Sequence, residues 1–354
     1  KMPNVRARVQ GCIGGVSGAN QTAPLMEGRL KNKEDPMMKK IVSLVLALML
    51  CLSCVSALAA EAWTVTCPWA PSGVAAMVNQ KAASLSTTYS QDYVLVANAE
   101  KGDTATINSW LTKYTEADPQ MCFIGEGMFG ITAILDPERM NFTYDDFKYV
   151  ENLYSSIFVA SARKELGITS IDALKAYLEE GNQIMVGTNG ATGSEAFLAA
   201  ALIGAMGYGD QFYLIPYESA AEAAQAVTRG EVDIAVSHQS QILETWQQGG
   251  VDVFAAFDGK PIAQGPFKGV EGVGQYGYPY FRNRCFIFAK AGADEQKIAD
   301  LKALYAQILT DEEMVDWLNH TMLLEADVMT EEEVIAHIDN VKNIVDEYYD
   351  LVAE

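Results

Sequence analysis

Short apolar runs alternate with helix-patterned stretches along most of this chain, and that alternation restricts what it can fold into. Trp63–Cys67, Tyr93–Ala97, Met121–Ile124 and Ile157–Ala160 have the length and composition of buried strands. Helical spacing falls between or after them, at Val74–Leu85, Asp103–Tyr114 and Met128–Leu135. A second set follows: a helix from Ser170 to Glu180 closed by Gly181, a strand at Ile184–Val186, and a strand at Phe212–Ile215. Next come a helix at Ala220–Arg229 stopped by Gly230, a strand at Val232–Val236, a helix at Gln239–Gln248 and a strand at Val251–Phe257. Arg284–Ala289 is one more strand. Two long amphipathic helices end the chain; the first carries Ile298, Leu301, Leu304, Tyr305 and Ile308, and the second opens on the capping box Thr330-Glu331-Glu332-Glu333. Strands joined through helices call for parallel α/β sheets, and there are enough for two.

The charge distribution limits the partners. The chain of 354 residues has a formal charge of −21, and residues 1–60 hold eight Lys or Arg against three Asp or Glu, so the remainder sits near −26. Such a body repels nucleic acid and anionic membrane surfaces, and any anionic ligand must be held by local dipoles. Met37–Ala60 reads as a secretory leader: Lys39 and Lys40 precede the apolar run Ile41–Leu52, and Ala57-Leu58-Ala59 is an A-x-A cleavage site. The run is too short for an ordinary membrane span. A lipid anchor through Cys54 is the alternative to a free form, although Cys51 stands where such a site has Leu. The mature chain is expected to start near Ala60 or Glu61, and residues 1–36 read as an upstream extension with no periodic pattern. Cys67, Cys122 and Cys285 remain, an odd number without CxxC, which supports neither a disulfide framework nor a zinc site.

Chemistry-bearing motifs are few. Gly125-Glu126-Gly127-Met128-Phe129-Gly130 spells GxGxxG after a strand, with Asp145 and Asp146 about 20 residues on, as a dinucleotide site requires. Against that reading, Glu126 sits where a pyrophosphate must approach, and the same spelling recurs at Gly272–Gly277 with no strand–helix context. His320 and His337 fall in the terminal helices and read as surface residues; His238 follows a strand and is placed to face a cleft. No His has a second ligand at metal spacing. Ser194 has no evident base, so neither catalysis nor a cofactor is expected. What remains is a set of strand–loop–helix turns rich in Gly and hydroxyls: Pro71-Ser72-Gly73, Gly125-Glu126-Gly127 and Gly187–Ser194, the last with Ser194 in the N-cap position of an Ala-rich helix. Helix starts of this kind offer free N–H groups and a positive dipole end to an anion. In two facing α/β lobes, the carboxyl ends of the strands converge on one cleft.

The order of these pieces resembles the solute receptors of tripartite tricarboxylate transporters, the Bug family, over nearly all of Trp63–Val352. Pro68-Trp69-Ala70-Pro71-Ser72-Gly73 stands for a P-F-x-x-G-G-like loop, and Gly187-Thr188-Asn189-Gly190-Ala191-Thr192-Gly193-Ser194 for a loop like G-S-x-G-x-G-S. Ile215-Pro216-Tyr217-Glu218-Ser219 and Gly230-Glu231-Val232-Asp233 follow at similar spacing. The resemblance implies a type II periplasmic-binding-protein fold, with two α/β lobes joined by two crossing strands and a ligand cleft between them. The crossings are expected near Ile157–Ser161 and Arg284–Ala289, with lobe 1 at 61–160 plus 281–354 and lobe 2 at 161–280. It further implies an exported monomer that takes a small organic anion, without a cofactor, and hands it to membrane transporter subunits. A ligand sensor docking on a membrane histidine kinase is the other role open to such a chain. The expected contacts are Pro71, Ser72, Gly73, Gly125, Glu126, Gly127, Thr188, Asn189, Gly190, Thr192, Gly193, Ser194, Ser237 and His238. The sequence departs from the family where Asp, Arg and His are usual: it has Ala76, Gln80 and, after the second loop, Ala196 or Phe197, and the Gly-rich turn after the second strand is reduced to Gly102. Salt is therefore expected to affect binding little, because no Arg lies in the three loops.

Overall fold

The computed structural model describes residues 60–352; the expected leader and upstream extension lie outside the described residues. Ten strands occur in two groups. β1 (Glu61–Cys67), β2 (Tyr93–Ala99), β3 (Gln120–Gly125) and β4 (Phe147–Ser156) lie in a first sheet. β5 (Phe158–Arg163), β6 (Ile184–Asn189), β7 (Phe212–Tyr217), β8 (Ile234–His238) and β9 (Val251–Ala256) form a second, and β10 (Asn283–Lys290) returns to the first. The sheet orders are β2-β1-β3-β10-β4 and β7-β6-β8-β5-β9.

Neither sheet is purely parallel, which corrects the expectation. β1 runs parallel to β2 and β3, but β10 is antiparallel to both β3 and β4. In the second sheet β6 is parallel to β7 and β8, while β5 is antiparallel to β8 and β9. The reversed strand is in each case the one by which the chain arrives from the other sheet. A strand entering from across the cleft points away from it, so it must oppose strands whose carboxyl ends point toward it. The first passage is at Ile157, between β4 and β5. The return occupies 257–282, so Arg284–Ala289 lies inside the first sheet instead of between the two.

Each sheet is covered on both faces by apolar clusters. Trp63, Val65, Phe123 and Ile287 pack with Leu301, Leu304 and Tyr305 on one face of the first sheet. On its other face Ile124, Phe129, Phe286 and Phe288 pack with Val334 and Ile338. The Ser194–Ala205 helix is buried from Ser194 to Gly204, with Phe197, Leu198, Ala201 and Leu202 against Ile184, Val186 and Val236. The Glu331–Glu347 helix has its expected capping box: Glu333 N–H donates to Thr330 Oγ1 at 3.3 Å and Thr330 N–H to Glu333 Oε2 at 2.8 Å. Val334 and Ile338 of this helix join the first-sheet cluster, while Val341 and Val345 join the second-sheet cluster. The terminal helix therefore packs on both halves. His337, on the same helix, is not a surface residue as expected; its Nδ1 lies 3.1 Å from Arg284 Nη1. His320 is exposed. Two glycines of the GxGxxG spelling serve close approach: a Cβ on Gly130 would lie 2.6 Å from Val341 Cγ1, and one on Gly127 would lie 2.6 Å from Ser194 Oγ.

Candidate functional site

The carboxyl ends of β1, β2, β3, β6, β7 and β8 run into loops that surround one cavity of about 340 Å³. The helices that start at Val74, Thr104, Ser194 and Ala220 have their N-cap residues, Gly73, Asp103, Gly193 and Ser219, on its wall. Three of them, with Gly73, Asp103 and Gly193 in the N-cap position, have no side-chain cap; at the Asp103 helix the carbonyls of Gly102 and Asp103 take the N–H groups of Ala105 and Thr106, which leaves the Gly73 and Gly193 ends open. Their first-turn N–H groups have no intrahelical acceptor and face a space large enough for a small organic acid. Ser219 caps the Ala220 helix by accepting from Glu222 N–H at 3.2 Å. Trp69 covers Gly125: a Cβ there would touch the indole at 3.5 Å.

Of the expected contacts, Gly73, Gly125, Gly127, Asn189, Gly190, Thr192, Gly193, Ser194 and His238 line the cavity. Pro71 and Ser72 are exposed and lie off the wall, because the turn that Gly73 closes onto Ala70 points them outward. Thr188 is buried, and its hydroxyl donates to Gly190 O at 2.9 Å. Ser237 is buried away from the wall because it faces the opposite side of β8 from His238. Ser194 is the first helical residue, not the N-cap, and its hydroxyl donates to Glu126 Oε1 at 3.0 Å. Glu126, wholly buried behind the wall, also accepts from Asn283 Nδ2 at 2.9 Å and Arg284 N–H at 2.8 Å. It thus ties β10 of the first sheet to the helix after β6 of the second. Two further contacts span the cleft: Arg139 Nη1 donates to Thr192 Oγ1 at 3.0 Å, and Lys101 pairs with Glu218.

Sequence reasoning missed Arg139, Lys101, Asp103 and Glu195, all on the cavity wall. Both cations have acid partners. Arg139 lies 3.4 Å from Asp103 Oδ2 and 3.8 Å from Asp136 Oδ2, and Lys101 holds Glu218. Asp103 has φ 53°, a left-handed conformation that L-residues adopt only at a cost. Ala76 and Phe197 are core residues and Gln80 is exposed, so the positions where the family usually has Asp, Arg and His supply no side chain to the wall. Among the described residues, no group of three or more His, Cys, Asp or Glu side chains is placed to hold a metal ion. No helix among them is long and apolar enough to cross a membrane.

Residues 113–340 match the tripartite tricarboxylate transporter family receptor. The chain belongs to that family. Its solved relatives include the periplasmic binding protein BugD, at 16% identity with a TM-score of 0.71 over 83% of this chain and 98% of that one. Rhodopseudomonas palustris MatC with bound malate gives 17%, 0.69, 82% and 98% in the same order. A second R. palustris protein, with adipate, gives 15%, 0.72, 82% and 96%. At such identities the likeness shows the fold alone, that of a periplasmic binding protein with two α/β lobes. No curated protein matches the chain. The family is one of solute-binding receptors.

Burial perturbs several groups in and near the cavity: it raises the carboxyls of Asp103 and Glu126, and it shifts three other groups further. It pushes the Glu195 carboxyl up to about 8, with Glu126 and Asp103 adding repulsion. It holds the His238 imidazole down to about 3, and burial together with Arg284 holds His337 down to about 3. The signs oppose. Below about pH 6.5, the ordinary imidazole value, the unfolded chain takes up protons that the folded histidines refuse, so stability rises with pH there. Between about pH 5 and 8 the folded Glu195 keeps a proton that the unfolded chain has released, so its contribution falls with pH. Above about pH 6.5 the histidines no longer oppose the trend of the raised carboxyls, of which Glu195 is raised to about 8. The ligand-free protein is therefore expected to lose about 1 kcal/mol between pH 7 and 8. Urea unfolding at the two pH values measures this, and Glu195→Gln should flatten the difference. An equal loss in that variant would move the cause elsewhere.

Proposed function

We propose that this chain is an extracytoplasmic receptor that captures a small carboxylate and delivers it to a tripartite tricarboxylate-type membrane transporter. The observation that carries this reading is the pair of uncapped helix N-termini, at Gly73 and Gly193, on one cavity of about 340 Å³. They come from different sheets, so an anion held between them would favour closure of the lobe built on the first sheet on the lobe built on the second, with the boundary at Ile157 instead of after residue 160. Each helix end favours an anion by roughly 0.3–1 kcal/mol when exposed, and by more where closure excludes water. Hydrogen bonds from neutral donors to a charged acceptor add about 1.5–3 kcal/mol each. Four or five such contacts support micromolar affinity, about −8 kcal/mol, after the entropy cost of association. MatC with malate and the R. palustris protein with adipate point to ligands of this size.

A thermal-shift panel of small mono-, di- and tricarboxylates tests the reading, because a ligand of the native state raises its stability. At a hundred times Kd the gain is about 2.7 kcal/mol. At least one carboxylate is expected to raise the unfolding midpoint in proportion to the logarithm of its concentration. A flat panel, with neutral solutes shifting the midpoint instead, would remove the carboxylate assignment.

A further inference from the structure

We infer that His238 hydrogen-bonds the ligand through its Nε2–H, that Ser156 holds the imidazole in the form that does so, and that the ligand presents an oxygen acceptor at this wall. This rests on the carboxylate-receptor reading and deepens it.

His238 ends β8 and lies on the cavity wall, only 8% exposed. Its ring is fixed from two sides. Nδ1 lies 2.8 Å from the Ser156 hydroxyl, and Phe158 packs on the ring with centroids 4.7 Å apart. Ser156 ends β4 and Phe158 opens β5, so both props come from the passage between the sheets. Among the described residues Nε2 has no protein partner, and it is not sealed in, so it is the ring nitrogen that meets the cavity.

The hydroxyl decides which nitrogen carries the proton. Ser156 is 2% exposed, and among the described residues His238 Nδ1 is the one acceptor for its O–H. A proton on Nδ1 would reverse that bond and strand the serine O–H, and a buried donor without an acceptor is costly. With the proton on Nε2, Ser156 O–H donates to Nδ1 and only lone pairs of the hydroxyl go unused. The ring then shows an N–H to the cavity. Burial holds this imidazole down to about 3, so at neutral pH the ring is uncharged and keeps a single N–H. Ser194 and Asn283 are turned to Glu126, Arg139 to Thr192 and Lys101 to Glu218, whereas His238 has a donor to spare. The open helix starts suit a carboxylate through their backbone N–H groups. His238 adds a side-chain donor whose orientation is set before the ligand arrives, so little freedom is lost on binding. A carboxylate, carbonyl or hydroxyl oxygen satisfies it; an ammonium or amide N–H would meet another donor.

Nitrogen NMR of the isotope-labelled protein reads the tautomer. The chain has three histidines, and the signals lost in His238→Gln are those of His238. Without ligand, Nε2 is expected to resonate as a protonated nitrogen and Nδ1 as an unprotonated one, and Ser156→Ala is expected to move the Nδ1 signal. Calorimetry with acetate, succinate, citrate and the other acids of the thermal-shift panel measures the contact. His238→Phe keeps a flat ring without the donor and is expected to weaken the tightest of them by about tenfold or more. His238→Gln, whose amide N–H reaches toward the same place, is expected to cost about threefold or less. A proton found on Nδ1 overturns the inference from the unmutated protein alone, however the variants fold. Equal losses in the Phe and Gln variants would make His238 a packing residue and overturn it too. Binding by His238→Phe within about threefold of the parent would do the same and leave the carboxylate receptor standing. If no acid of the panel binds, the receptor reading falls and this one with it.

Discussion

Glu126→Leu is expected to destabilise the protein by about 3–5 kcal/mol, the largest loss for any single substitution near the cleft. The side chain is wholly buried and accepts three hydrogen bonds, from Ser194 Oγ, Asn283 Nδ2 and Arg284 N–H. Leu fills a similar volume but accepts nothing. The Ser194 hydroxyl can turn toward the cavity, so its loss is small. The Arg284 N–H sits on a strand and cannot turn. Asn283 already has a buried Oδ1 without a partner, so rotating its amide does not relieve the Nδ2 group. Each stranded donor costs about 1–3 kcal/mol. The gain on the other side is the desolvation of a carboxyl whose pKa is raised by burial, which Leu escapes. Glu126→Gln separates the two effects, because it keeps an acceptor and removes the charge; it is expected to cost less than half as much. Urea unfolding followed by far-ultraviolet circular dichroism reads both. Should Glu126→Leu match the parent, the tie between β10 and the Ser194 helix is not a structural one.

How far the sequence carried the fold is clearest at β4. Phe147–Ser156 contains Lys148, Glu151 and Asn152, which break the apolar run, so no strand is legible there. The structure meets those polar groups with distant partners. Lys148 Nζ donates to Glu295 Oε1 at 3.1 Å, and Asn152 Nδ2 donates to Asp327 O at 2.6 Å. Nothing local announces such partners. Strand direction was equally hidden, since β5 and β10 are reversed only because of where the chain comes from. β8 was read two residues early. Asp233 has the right neighbours for a strand, but its carboxylate accepts Met185 N–H at 2.9 Å and pairs with Arg163, so the regular strand begins at Ile234. In the cleft, the loops were legible because Gly and hydroxyl residues between a strand and a helix have few other uses. Arg139 and Lys101 come from outside those loops and meet them only in the fold. Glu195 did leave a signal, a single acid at the head of Glu195-Ala-Phe-Leu-Ala-Ala-Ala-Leu-Ile-Gly. A helix with no polar face has no solvent for that charge, so it must point at something.

Gly193→Val is expected to weaken carboxylate binding by a hundredfold or more while leaving the fold largely intact. Gly193 lines the cavity in the N-cap position of the Ser194–Ala205 helix, with φ −82° and ψ 178°. That backbone is extended and open to any residue, so the substitution strains no dihedral. The side chain is the obstacle. A Cβ would lie 3.0 Å from Asn189 O and 3.6 Å from Glu195 Oε2. The first contact is tight and costs about 1 kcal/mol of packing. The two methyl groups beyond it crowd the open first turn of the helix, where the anion must approach. Losing two hydrogen bonds to a charged acceptor removes about 3–6 kcal/mol of the roughly 8 that micromolar binding represents. Gly193→Ala carries only the first atom and should lose far less, about tenfold, so the pair distinguishes crowding from a general disturbance of the loop. Calorimetry with whichever carboxylate gives the largest thermal shift measures both variants, and their urea midpoints check the fold. Binding by Gly193→Val at parental affinity, with the midpoint unchanged, would place the anion away from this helix and leave the Gly73 terminus as the remaining cradle.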